Sequence, residues 1–135
     1  MCTQLVLDYA YYRDRADGPA VGSLFTDDAR MTVRGETVVG REQIEARTRS
    51  AASGPTTMHL ISTIHIRPEG ASRARGTSYV TVYVAGDDEA SAGVPAPVEG
   101  FAIVGAYEDL FVRTPGGWRI AERLLRGVLR YRDES

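Results

Sequence analysis

Residues Met58-His59-Leu60-Ile61-Ser62-Thr63-Ile64-His65-Ile66-Arg67 decide the architecture: β-branched side chains recur through the run and alternate with other types. That is the signature of a strand whose two faces differ. Successive strand side chains point to opposite sides, so His59, Ile61, Thr63 and His65 are expected on one face and Met58, Leu60, Ser62, Ile64 and Ile66 on the other. Downstream the pattern continues. Pro68-Glu69-Gly70 reads as a turn, Ser72 to Ala85 alternates through Tyr79, Val80, Val82 and Tyr83, and Phe101 to Arg113 forms a further strand. Thr114-Pro115-Gly116-Gly117 turns the chain into a last strand from Trp118 to Arg130. Between Gly86 and Gly100 lie two Asp, two Glu, two Pro and three Gly, which predicts a mobile hairpin loop over 87–97.

Upstream of the strand run the period changes to three and four. Leu5, Val6, Tyr9 and Tyr12, with Leu7, Ala10 and Tyr11 beside them, give Gln4 to Arg15 a broad apolar helical stripe. Asp17 caps a shorter helix with Pro19 in its first turn and Val21, Leu24 and Phe25 facing inward, and Thr26-Asp27-Asp28 stops it. Arg30 to Arg34 and Thr37 to Val39 are short β segments around Gly35, and a third helix runs from Arg41 to about Ala51, closing at Ser53-Gly54-Pro55. Three helices followed by a long meander make one α+β domain in which a strongly curved mixed or antiparallel sheet wraps around the helices. No internal repeat or second domain is visible over residues 1–135.

Composition prunes the chemistry. All 16 basic residues are Arg, and the chain contains neither Lys nor Asn, which removes Schiff-base and phosphate-loop lysines and any Asn-dependent oxyanion hole. The lone Cys2 makes neither an intrachain disulfide nor a zinc site, so no metal is expected. A net charge of -2, with acids and bases interleaved, argues against nucleic acid. No apolar run approaches the roughly 20 residues of a membrane helix. Met1-Cys2-Thr3-Gln4 lacks the start of a secretory signal, so a cytoplasmic address is expected.

His59 stands mid-strand among apolar residues, where an imidazole needs a partner, and the first helix offers Asp14. A carboxylate held against one ring nitrogen fixes the tautomer and prepares the other nitrogen as a general base. A buried histidine satisfied by a structural aspartate accounts for the same residues equally well. His65, beside Arg67 and Pro68, reads as a rim residue. Arg119, Arg123, Arg126, Arg130 and Arg132 mark the exposed side and edge of the final strand, with an anion site for a carboxylated substrate as the alternative.

Six stretches, in this order, resemble one known family: Tyr12 to Asp17 (YRDRAD), Leu24 to Ala29 (LFTDDA), Val38 to Ile44 (VVGREQI), Met58 to Leu60 (MHL), Gly105 to Asp109 (GAYED) and Gly117 to Arg123 (GWRIAER). Together they are similar to the SnoaL-like branch of the nuclear transport factor 2-like (NTF2-like) superfamily, which contains scytalone dehydratase and bile acid 7α-dehydratase. The resemblance implies a cone-shaped, cystatin-like roll and no cofactor. It carries the family's helix Asp onto Asp14 and its strand His onto His59. The bile acid dehydratase pattern has a Tyr five residues before that Asp, here Tyr9, implied as acid or oxyanion donor. Scytalone dehydratase has a Tyr just before the Asp, where this chain has Arg13, and its further Tyr, His and Asn fall on Val33, Val84 and Tyr107. That substrate is therefore not expected.

Tyr9 and Asp14 lie about 140° apart around a helix and so flank a cavity; Tyr11 and Tyr12 compete for the acid role. The resemblance places Tyr107, with Phe101, Ile103, Gly105 and Asp109, on the pocket face, Gly105 either leaving room for a ligand or marking a bulge. Val33, Ile61, Val82, Gly105 and Tyr107 are the expected substrate pocket. Asp109 is a second carboxylate or pairs with Arg123 at the rim, and Trp118 packs.

The expected activity is cofactor-independent lyase, isomerase or cyclase chemistry on a small hydrophobic, cyclic or polyketide-like substrate, with His59 as base, Asp14 as orienter and Tyr9 as donor. The alternatives are a non-catalytic ligand-binding or accessory domain and a partner like the β-subunit of ring-hydroxylating dioxygenases; a limonene-type epoxide hydrolase conflicts with the missing Asn. An apolar outer face of Leu60, Ile64, Tyr79, Tyr83, Val104 and Leu110 predicts a homodimer.

Overall fold

A computed structural model of the chain describes residues 1–85, 95, 98 and 103–129; the hairpin expected at 87–97, apart from Pro95, and the pocket position Phe101 lie outside the described residues. The elements are α1 (Cys2–Asp14), α2 (Gly18–Gly22), β1 (Phe25–Val33), β2 (Glu36–Val39), α3 (Arg41–Ser50) with a 3₁₀ turn at Ala51–Ser53, β3 (Thr57–Pro68), β4 (Arg73–Val84), β5 (Ile103–Thr114) and β6 (Gly117–Leu129). They form one mixed sheet in the order β2-β1-β6-β5-β4-β3. All neighbours are antiparallel except β1 and β6, which run parallel.

β1 begins earlier than the turn-forming Thr26-Asp27-Asp28 cluster suggests. Phe25 pairs with Ile120 of β6, and the register shift before Arg30 accommodates the cluster without ending the strand. Long-range pairing thus overrides local turn propensity. Arg41 reinforces the junction, donating to the Phe25 carbonyl at 2.6 Å and the Gly22 carbonyl at 3.1 Å. The short helix α2 starts where its cap requires, with the Asp17 carboxylate accepting from Ala20 N–H.

In β3 the simple alternation fails halfway. Thr63 adopts a left-handed backbone with φ 51°, and the register with β4 slips between Ser62 and Ile64. This one-residue bulge inverts every later side chain. His59 and Ile61 face inward as expected, but Ile64 and Ile66 join them against the core, while Thr63 and His65 are exposed. The apolar outer face therefore loses Ile64.

The core lies between the helices and the concave sheet face, with Val6, Val21, Phe25, Ile44, Val80, Phe111 and Ile120 essentially inaccessible. The stripe of α1 is narrower than its sequence implies. Leu5, Val6, Tyr9 and Ala10 are buried, whereas Leu7 and Tyr11 are exposed and Tyr11 lies under the Arg15 guanidinium at 3.5 Å. Among the described residues no helix is long and apolar enough to cross a membrane.

Candidate active site

The last turn of α1 brings Asp14 against the first residues of β3. Its Oδ2 accepts the His59 backbone N–H at 2.8 Å, and its Oδ1 accepts the Thr57 hydroxyl at 3.1 Å and meets His59 Nδ1 at 2.5 Å. Burial pushes the Asp14 carboxyl up, but the hydrogen bonds from the His59 ring and backbone, the His59 charge and the Thr57 hydroxyl outweigh it, and the carboxyl stays below its ordinary value of 3.8. Asp14 is thus an anion at neutral pH. Facing an anionic acceptor, an imidazole in its neutral form carries the proton on Nδ1 and the lone pair on Nε2. Thr57 was not anticipated; its position two residues before His59, on the same face of a strand, is the signal that finds it.

His59 forms part of the wall of a cavity of about 340 Å³, near the low end of the range of small-molecule sites. Of its lining, Tyr9, Val82 and Tyr107 are buried and Val33, Ile103 and Leu125 half-buried, an apolar and phenolic inner part; Arg34, Gly54 and Pro55 are exposed and Arg13 and Arg47 half-buried, toward the outside. Of the expected pocket residues, Val33, Val82 and Tyr107 line it, while Ile61 and Gly105 do not. Ile61 packs against the core. Gly105 sits at a bulge, where a Cβ would meet the Arg126 carbonyl oxygen at 2.8 Å; close strand approach, rather than space for a ligand, requires this glycine. A second depression of about 490 Å³ lies on the outer sheet face, lined by Arg30, Arg67, Arg75, Glu108 and Glu122 among others, and neither Asp14 nor His59 borders it.

Tyr9 is buried, and its hydroxyl has Met31 Sδ as partner at 3.6 Å. Its ring meets Tyr107 edge to face at a centroid distance of 5.7 Å. Beneath both rings lies Arg123, whose guanidinium carbon is 4.4 Å from the Tyr9 centroid and 3.9 Å from that of Tyr107. Asp109 holds Arg123 through two bonds of 2.7 and 2.8 Å. This pair is wholly buried and not at the rim, and Arg123 departs from the exposed arginine group in which its spacing placed it. The residue projects inward because Asp109↔Arg123 is a facing pair on the concave side of β5 and β6, where Phe111 and Ile120 also point. Desolvation opposes its charge, but Asp109 outweighs that and holds the guanidinium protonated. Burial likewise raises the Tyr107 phenol far above its ordinary range and keeps it a neutral donor. Tyr12 packs against the core and Tyr11 faces outward, so neither lines the cavity. Trp118 also packs on the core. No group of three His, Cys, Asp or Glu able to hold a metal ion occurs among the described residues.

Helices set into a bent six-stranded mixed sheet, with a cavity opening between them, define the cystatin-like, NTF2-like class of α+β domains. Within that class the chain belongs to the SnoaL-like domain family, whose model matches residues 1–124. Among solved structures it is similar to Rv3472, a protein of unknown function from Mycobacterium tuberculosis, at 24% identity and TM-score 0.81, covering 94% of this chain and 69% of that one. A candidate scytalone dehydratase from Novosphingobium aromaticivorans matches at 21% identity and TM-score 0.79 over 99% of this chain and 87% of its own. An NTF2-like protein with a cystatin-like fold from the same organism matches at 26% identity and TM-score 0.71, over 90% and 76%. No curated protein matches the chain.

Proposed function

We propose that this SnoaL-like domain is a cofactor-independent acid/base enzyme, a dehydratase, isomerase or cyclase acting on a small cyclic or polyketide-like molecule. The carrying observation is that three donors pin the Asp14 carboxylate while it orients His59 at the wall of a cavity that is partly apolar. In this reading Nε2 of His59 removes a proton next to a carbonyl or from a hydroxyl, and a phenol at the inner end donates to the oxygen on which charge develops. Tyr9 takes that role by exchanging its weak sulfur contact for the substrate oxygen. The Arg123 cation against the ring faces of Tyr9 and Tyr107 favours the charge that a donating phenol begins to acquire. The match to a candidate scytalone dehydratase supports the reaction class.

The test is turnover of hydroxylated cyclic ketones by the wild type and by His59→Ala and Asp14→Ala. General-base catalysis is worth about 10²–10⁴-fold, and losses of that order are expected. Undiminished turnover in both variants overturns the assignment.

A second reading, a non-catalytic ligand-binding domain, draws on the Tyr9 hydroxyl being already engaged by Met31. Tight binding of a ring compound that is recovered unchanged, with no turnover of any ketone tested, favours it.

We further propose that the chain self-associates through the outer sheet face. Met58, Leu60 and Tyr79 remain about half-exposed there, and Arg75, Glu108 and Glu122 of the same face carry both signs of charge, which lets two identical surfaces pair opposite charges.

A further inference from the structure

Among the described residues, the carboxylate and guanidinium side chains that line the cavity are all arginines. Arg13 comes from the last turn of α1, Arg34 from the turn between β1 and β2, and Arg47 from α3, so three separate elements contribute an arginine to the lining of one cavity. Among the described residues, no Asp or Glu lines the cavity with them. Asp14 is close by, but its oxygens are engaged by His59 and Thr57. Arg47 has one carboxylate partner, Glu36 at 3.4 Å, whose side chain is 77% exposed; such a pair is weak and readily exchanged. Arg13 and Arg34 make no ion pair among the described residues.

Arg34 is also held in an uncommon conformation. It has φ 53° and Gly35 has φ 79°, so both residues of the β1–β2 turn are left-handed. Gly, Asn or Asp adopts the first position of such a turn more easily than Arg. An arginine thus occupies a position that the backbone disfavours and that lines the cavity.

Behind this cationic opening the wall turns apolar at Val33, Val82 and Leu125. We infer that the cavity takes an organic anion, an apolar ring system seated inside with a carboxylate or phosphate held at the mouth by Arg13, Arg34 and Arg47. This deepens the enzyme reading, on which it rests for taking the cavity as the ligand site. An anionic group fixed at the mouth sets which part of the ring body faces His59, and it draws the ligand in through a focused positive potential.

Two fluorescent probes with the same aromatic body test the inference: 8-anilinonaphthalene-1-sulfonate, an anion, and the neutral N-phenyl-1-naphthylamine. The wild type should bind the anionic dye about tenfold more tightly, as one net charge-assisted contact provides. Arg13→Gln, Arg34→Gln and Arg47→Gln should each weaken the anionic dye several-fold and leave the neutral one unchanged, and added salt should act in the same direction. Equal affinities for the two dyes in wild type, or indifference of the anionic dye to both salt and the substitutions, overturns the inference; the wild-type comparison decides even where a variant folds poorly. Displacement of the bound anion by 1-naphthoate or by 1-naphthyl phosphate distinguishes carboxylate from phosphate, and displacement by neither also overturns it. His59→Ala should cut turnover by about 10²–10⁴-fold and keep the dye ratio. Failure of the dyad therefore shows in turnover with the ratio intact, and failure of the anion site shows in the ratio while turnover still depends on His59.

Discussion

Nδ1 of His59 lies 2.5 Å from Oδ1 of Asp14, a contact between residues 45 apart in the chain. The same carboxylate accepts the backbone N–H of His59, so ring and main chain are held together. A side chain fixed in this way keeps one rotamer and one tautomer, which a general base needs before substrate arrives.

Asp14 should tie folding stability to acid pH. Its carboxyl lies below the ordinary 3.8 in the folded state, so the unfolded chain binds the proton more tightly. The stabilisation is therefore complete above the ordinary value and is lost as pH falls through the lower folded one. In urea titrations across pH, wild type should exceed Asp14→Asn by a constant margin at neutral pH, and the margin should shrink below 3.8. A margin that grows on acidification would contradict the contact.

Arg123 and Asp109 form a buried pair whose rupture strands a charge. Arg123→Met should destabilise by about 3–5 kcal/mol, and Arg123→Met combined with Asp109→Leu should recover most of the loss. Denaturant melts of the two variants check this; a double variant no more stable than the single one would mean that the apolar pair cannot fill the site.

Thr63 occupies a left-handed position that costs an L-residue about 1–2 kcal/mol. Thr63→Gly should relieve this, giving a net gain of a few tenths to about 1 kcal/mol after the flexibility of glycine is counted. Thermal unfolding measures it, and a clear loss would show that the threonine side chain stabilises the bulge.

The proposed dimer predicts that Tyr79→Glu, on the outer face, gives the monomer mass in sedimentation at concentrations where wild type sediments as a dimer. Wild type sedimenting as a monomer at micromolar protein refutes the proposal.

Much of the fold is legible along the chain because the signals are local. The Asp17 cap, the glycine turns and the alternation of β4 each express a preference of neighbouring residues, and the elements stand within a few positions of where those preferences put them. His59 and Asp14 are legible as partners because a mid-strand imidazole among apolar neighbours requires one. The arginines at the cavity mouth were not. Nothing in the residues around positions 13, 34 and 47 says that a helix end, a hairpin turn and a second helix converge.

The order of helices and strands and the need of one histidine for a carboxylate follow from local preference and composition. Which face Ile64 takes, whether Arg123 meets solvent or two tyrosine rings, and whether Gly105 opens a pocket or closes a bulge depend on strand register. Register is decided when distant strands pair, because a single inserted residue moves every later side chain to the other side of the sheet.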